Sequence, residues 1–250
     1  MFGRNQAIVV AMIALGALAA TGRATIGQTV PDYAAIVAAP DRSEADRETD
    51  KRRDPVQLLA FTGVKPGMKV LDLGAAAGYS TELLARVVGP SGVVYATDSP
   101  AVVERVKDRF AARAAAPAMQ NVSRLVRSYD DPLPAEIGDL DLITFFFFYH
   151  DTTYMDVDRD KMNRALYAAL KPGGLLVIAD HSARPGDGAT VGKTFHRIEE
   201  STLRKEVEAA GFVFVEEGGF LRHPEDPRDV AIFKPKVPVD EFILKFRKPG

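Results

Sequence analysis

The sequence predicts an α/β fold, with an open, mostly parallel sheet covered by helices on both faces. Short apolar runs alternate with helical stretches from Val64 to the C-terminus, the order that builds a parallel sheet. Residues 145–148 are four consecutive phenylalanines without period-two alternation, as in a central strand buried on both faces. A turn of small residues, with Gly74 and Gly78 at its ends, carries the first strand into a helix.

Composition narrows the functional classes. With 250 residues, 46% hydrophobic and 26% charged, the chain has the size and balance of one globular domain rather than of a disordered polymer. It has no cysteine, which excludes disulfides, a cysteine-ligated metal centre and a thiol nucleophile. A net charge of −2 and the lack of a basic patch interleaved with aromatics give no reason to expect nucleic acid as a partner.

Residues 1–24 read as a secretory signal peptide. Arg4 supplies the basic start, and residues 7–20 are apolar or small throughout. At about 1.5 Å per residue that run is too short for a hydrocarbon core of about 30 Å. Ala19 and Ala24 are alternative cleavage positions. A short uncleaved anchor and a misassigned start are the competing readings. The expectation is an exported, periplasmic protein with no stable membrane insertion after processing. The sequence does not specify its oligomeric state.

Residues 25–54 read as a linker followed by a charged helix. Ser43 suits the helix cap, with Asp46 three residues on. The run from Asp41 to Asp54 carries both signs, and is either a solvated surface or a lid near a charged ligand. The domain proper then spans residues 55–250. Pro55 opens a helix that Gly63 closes. Strands are predicted at residues 68–73, 92–97, 122–126, 140–148, 175–179, 212–215 and 241–246. Helices are predicted at 78–88, 100–114, 158–170 and 199–210, the last two ended by Pro172-Gly173 and by Gly211.

The turn after the first strand reads Asp72-Leu-Gly74-Ala-Ala76-Ala-Gly78. It does not match the dinucleotide pattern G-x-G-x-x-G, whose second and third glycines would fall on Ala76 and Tyr79. In an open α/β sheet, ligands bind in the crevice at the carboxyl ends of the strands. Asp98 ends the second strand, where a carboxylate can accept from both ribose hydroxyls. Asp130 and Asp131 follow the third strand, and Lys171-Pro-Gly-Gly174 precedes the fifth.

These motifs, in this order, resemble those of the class I S-adenosylmethionine-dependent methyltransferases. The resemblance runs from about Pro55 to the C-terminus. More narrowly, Ala179-Asp-His-Ser182, Phe195-His-Arg-Ile198 and the terminal Phe242-Ile-Leu-Lys-Phe-Arg-Lys-Pro249 resemble a bacterial group of predicted methyltransferases carrying signal peptides. The family's usual middle glycine is Ala76 here, which narrows the pocket by one methyl group. The resemblance implies a Rossmann-like sheet of seven strands, the last antiparallel, with an N-terminal helical extension. It also implies S-adenosylmethionine as cofactor. Asp72 would order the turn and meet the methionine amino group, Gly74, Ala76, Gly78 and Ser99 would lie against the cofactor, Asp98 would meet the ribose, and Asp130, or in its place Asp131, the adenine.

The chemistry is expected at the strand ends. Methyl transfer needs alignment of donor and acceptor, and a base where the acceptor must lose a proton. Histidine suits that role near neutral pH. His150 follows the fourth strand and is the first candidate, with Tyr149 and Asp151 as hydrogen-bonding neighbours; His181, after the fifth strand, is the second. His196 precedes the last helix, and His223 lies in a late loop. A divalent ion held by His150, Asp151, Asp180, His181 and His196 competes with this reading, but no tight ligand spacing favours it, and no metal is expected. The function expected is methyl transfer to a small-molecule acceptor. The alternative is an exported, non-catalytic binding protein on the same scaffold.

Overall fold

The computed structural model describes Met1, residues 30–233 and residues 235–250. Residues 2–24 of the segment read as a signal peptide lie outside them. Among the described residues, no helix is long and apolar enough to cross a membrane.

The chain opens with α1 (Tyr33–Val37), α2 (Glu44–Arg53) and α3 (Pro55–Thr62). The first corrects the linker reading of residues 25–40, because the Asp32 carboxylate caps a helix there. Ser43 caps α2 through the Asp46 amide, as expected. The domain continues with β1 (Lys69–Leu73), α4 (Tyr79–Val88), β2 (Val93–Asp98), α5 (Pro100–Ala114), β3 (Val122–Val126), β4 (Leu140–Phe146), α6 (Arg159–Ala169) and β5 (Leu170–His181). It closes with α7 (Gly192–Phe195), α8 (Glu200–Ala209), β6 (Val213–Gly218) and β7 (Glu241–Arg247).

These strands form one seven-stranded sheet in the order β3-β2-β1-β4-β5-β7-β6. Strands β1 to β5 pair in parallel, and β7 runs antiparallel between β5 and β6. The order reverses beside β1, and that switch point opens the ligand crevice at the carboxyl ends of β1 and β4.

Each buried strand serves two cores by its period of two. Leu71 and Leu73 of β1, Leu176 and Ile178 of β5, and Phe242 and Leu244 of β7 pack with Met162, Leu166, Leu203 and Val207 of α6 and α8. Val70, Val177 and Ile243 point the other way, onto Leu58, Leu59, Leu83 and Leu84 of α3 and α4. The helices therefore cover both faces.

Among the strand boundaries that differ from the sequence reading, two have a clear local cause. β5 begins at Leu170 rather than at Leu175, because Leu170 pairs with Leu140 across an irregularity in the ladder. β4 ends at Phe146 rather than at Phe148, because Phe147 takes a φ of 58°, a left-handed conformation no strand can continue. All four phenylalanines are buried. The break points Phe147 toward the helical extension and Phe148 toward the glycine turn.

Candidate functional site

Asp72 locks the glycine turn. Its buried carboxylate accepts from Ser80 Oγ (2.9 Å), Thr81 Oγ1 (2.6 Å) and Thr144 Oγ1 (2.9 Å), tying β1 to α4 and β4. Burial raises its pKa, against the three hydroxyl donors. Gly74, Ala76 and Gly78 all have positive φ, at 70°, 49° and 84°. For alanine that conformation costs about 1–2 kcal/mol, and here the Ala76 amide is held by Asp98 Oδ2 at 2.8 Å.

The space around this turn is taken by the chain's own side chains. A Cβ on Gly74 would lie 3.1 Å from Phe145 and Phe148, and one on Gly78 would lie 3.0 Å from Arg113. Arg113 donates to the Ala77 carbonyl and pairs with Glu82 and with Asp46 of α2. Tyr79 donates to Asp50 of the same helix at 2.6 Å. The charged helix is therefore strapped beside the turn through α4 and α5.

Asp98 is fully buried. Its Oδ1 accepts from Tyr129 Oη at 3.0 Å, and the Arg124 guanidinium lies 2.8 Å from its Oδ2 while resting 3.9 Å over the Phe110 ring. Burial pushes its pKa up to about 6, with Arg124 acting in the opposite sense. Two residues assigned to the cofactor by resemblance have other partners. Asp130 turns outward onto Lys161 Nζ at 3.1 Å, and Tyr129 takes the inward position instead. Ser99 caps α5 through the Val102 amide.

A second group of polar residues gathers at the carboxyl ends of β4, β5 and the start of β7. His150 Nδ1 lies 2.6 Å from Asp180 Oδ1, and His150 Nε2 lies 3.1 Å from Asp151 Oδ1. His196 Nδ1 approaches the same Asp151 oxygen at 3.0 Å. Burial alone would lower the pKa of His150, but Asp180 and Asp151 outweigh it and push it up to about 10. Next to it, His181 lies 2.9 Å from Glu241 Oε1 without the alignment of a hydrogen bond. Burial drives the His181 pKa well down, and the nearby cations His150, Arg52 and Arg53 add to that against Asp180. Burial lifts Glu241 to about 7. Tyr149 does not join the group. Its hydroxyl donates to Glu206 and accepts from Asn163 in the opposite core.

His181 and Glu241 border a cavity of about 720 Å³, within the range of small-molecule sites. Phe147, Ile232, Phe233 and Val239 make its apolar wall, and Lys51, Arg52 and Arg53 bring positive charge from α2. Arg53 also lies 4.6 Å from the Phe147 ring and 5.2 Å from that of Tyr79, the first residue after the glycine turn. The cavity is therefore adjacent to that turn.

A methyltransferase-domain family matches residues 70–174, which span the turn, Asp98, His150 and the Lys171-Pro-Gly-Gly174 corner. That segment is a methyltransferase domain, and the chain is similar to the class I S-adenosylmethionine-dependent methyltransferases. It is 29% identical over 130 residues to the ubiquinone/menaquinone biosynthesis C-methyltransferase UbiE of Ectopseudomonas mendocina, covering 52% of this chain and 47% of that one. With UbiE of Idiomarina loihiensis it shares 34% over 122 residues, or 48% and 45% of the two chains. The matched region thus spans less than half the length of these relatives. Among solved structures, a SAM-dependent methyltransferase from Aquifex aeolicus aligns with a TM-score of 0.59 at 22% identity, covering 87% of this chain and 98% of that one. An arsenic(III) S-adenosylmethionine methyltransferase from Chlamydomonas reinhardtii gives 0.55 at 18%, covering 89% and 74%. The cyclase SpnF gives 0.57 at 19%, covering 82% and 81%.

The methyltransferase family's cofactor is S-adenosylmethionine, and the donor set here suits it. A strand-end carboxylate faces a turn with three left-handed positions, beside a cavity fit for an acceptor. The Arg124 guanidinium, however, stands on the carboxylate that would hold the ribose. Sequence reasoning passed over Arg124, Glu241 and Phe233. Arg52 and Arg53 were within reach of the lid reading of the charge run, and nothing local marked the others.

Proposed function

We propose that this protein transfers a methyl group from S-adenosylmethionine to a small amphipathic molecule that carries an anionic group and binds in the cavity under α2. The single observation that carries this reading is the adjacency of that cavity to the glycine turn, with Arg53 between them. The cavity pairs an apolar wall with three cationic side chains, which suits an apolar body with an acidic head. The small-molecule C-methyltransferase activity named for the UbiE relatives supports an acceptor of this size.

In this reading Asp98 holds the ribose, and residues 74–78 lie along the methionine portion. Bound there, S-adenosylmethionine supplies an electrophilic methyl group. Arg124 must leave Asp98 to admit it. Arg52 and Lys51 orient the acceptor's anionic head, and Phe147 packs against its body. His181 takes the acceptor's proton on Nε2, since its imidazole borders the cavity and its Nδ1 is turned to Glu241. Glu241, 2.9 Å from that nitrogen, holds the ring and stabilises the imidazolium that forms. His150 is less suited to the role, because both its nitrogens face carboxylates. Export to the periplasm, read from residues 1–24, is part of the proposal.

Calorimetry of the purified protein with S-adenosylmethionine and S-adenosylhomocysteine tests it. Both should bind, and Asp98→Asn should abolish binding. Failure of both ligands to bind either the wild type or an Arg124→Ala variant would overturn the reading.

A further inference from the structure

His150, Asp151, Asp180 and His196 are not used by the methyl-transfer reading, yet their side chains converge at the strand ends. We propose that His150, Asp151 and His196 bind one divalent transition-metal ion, through His150 Nε2, an Asp151 carboxylate oxygen and His196 Nδ1.

The donor atoms are already placed for it. One atom from each residue lies within 4.8 Å of the others. The Asp151 oxygen is 3.1 Å from His150 Nε2 and 3.0 Å from His196 Nδ1. Bonds of about 2.0–2.2 Å to a tetrahedral ion put neighbouring ligands about 3.3–3.5 Å apart, so these two edges need to open by only a few tenths of an ångström.

The outer contacts are those of a metal-binding histidine. Asp180 is fully buried and accepts from the backbone amides of His150 and His181, each at 2.8 Å, as well as facing His150 Nδ1. It therefore fixes the ring with the proton on Nδ1 and directs Nε2 at the ion, the carboxylate–histidine–metal arrangement. Tyr154 Oη donates to the Asp151 carboxylate. His196 reaches the site from a left-handed backbone, φ 55°, an unfavourable conformation for a residue with a side chain. Its own amide is held by the Gly192 carbonyl, and the buried Arg197 anchors the next residue.

Three protein ligands leave coordination positions open. His196 and Asp151 are the partly exposed members of the set. The Phe233 ring, which lines the cavity, stands 4.6 Å from that of His196. An ion here would present its open position beside the same cavity, to water or to a donor atom of the cavity's occupant. Two imidazoles and one carboxylate select a borderline ion such as zinc, iron(II) or cobalt(II), over calcium or magnesium, which prefer oxygen ligands. This inference stands independently of the methyl-transfer reading.

Cobalt(II) titration of the untagged, metal-stripped protein tests it, followed by visible absorption and by competition with zinc(II). One cobalt per chain should bind with the spectrum of a low-coordinate nitrogen/oxygen site, and zinc should displace it. Magnesium and calcium should not. His196→Ala should weaken binding at least 100-fold, and Asp180→Asn by about 10–100-fold. The far-ultraviolet circular dichroism of His196→Ala should match the wild type, since that side chain is partly exposed. The absence of a stoichiometric site, or unchanged cobalt affinity in folded His196→Ala, would overturn the proposal.

Discussion

The half-buried Arg124 pairs with the fully buried Asp98 beside the glycine turn. The guanidinium sits 2.8 Å from the carboxylate and also donates to the Ala76 carbonyl at 3.3 Å, yet its Nη2 lacks a properly aligned acceptor. Burial lowers the Arg124 pKa, against the attraction of Asp98 and Asp72. The contact is close but imperfect, so ribose hydroxyls can compete for the same carboxylate.

Removing the plug should therefore help the cofactor. Arg124→Ala should tighten S-adenosylmethionine binding by about tenfold, roughly 1.4 kcal/mol, while lowering the stability of the free protein. Calorimetry and a denaturation curve on the same preparation check both effects. Unchanged or weaker affinity in a folded variant would show that Arg124 is no plug.

The raised pKa of Asp98 has a consequence for stability. The unfolded chain gives up this proton near the ordinary value of 3.8, whereas the folded protein keeps it until about pH 6. The contribution is complete below pH 3.8 and is lost as pH rises to about 6, a fall of a few kcal/mol at about 1.4 kcal/mol per unit. Glu241, raised to about 7, adds a slope of the same sign in wild type and variant alike. Urea denaturation from pH 4 to 7 should show a shallower decline for Asp98→Asn. Parallel curves would contradict the assignment.

Arg197 is the structural anchor of the late loop. It is fully buried, donating to Asp226 Oδ2 (2.8 Å), the Ser182 carbonyl (2.9 Å) and the Val230 carbonyl (3.1 Å). Arg197→Ala strands the Asp226 charge and should cost about 3–5 kcal/mol. The urea midpoint measures it, and a shift under 1 kcal/mol would refute the role.

The cavity residues should separate by kinetics. With any acceptor that supports turnover, His181→Asn should lower kcat by about 10²–10⁴-fold and leave KM nearly unchanged. Arg52→Ala should raise KM with little effect on kcat, because it holds the ground state and the transition state alike. A variant of His181 with normal kcat removes that residue from the chemistry.

Much of the fold was legible because its evidence is local. Apolar runs of strand length, proline at helix starts and glycine at helix ends each report on a few neighbouring residues. The strand-end positions of Asp98, His150 and His181 followed from the same reading. Where it went astray, a neighbour distant in sequence decided. Four identical phenylalanines carry no mark of where the strand stops, and the left-handed turn at Phe147 ends it. Asp130 and Tyr129 are adjacent in sequence, and Lys161 draws one outward while Asp98 draws the other in. Tyr149 sits beside His150 in the chain, but its side chain reaches Glu206 in the opposite core.

By itself the sequence determined the fold class, the glycine turn and the set of strand ends at which polar side chains emerge. It did so through periodicity and turn chemistry, which are properties of short segments. Only the tertiary structure decided which of those side chains meet. Arg52 reaches Glu241 across 189 residues, His150 finds Asp180 across 30, and His196 returns to Asp151 across 45. These encounters depend on the order of strands in the sheet and on backbone turns that redirect one residue at a time. Close contact between charges requires positions good to a fraction of an ångström, and such precision arises only once both cores are packed.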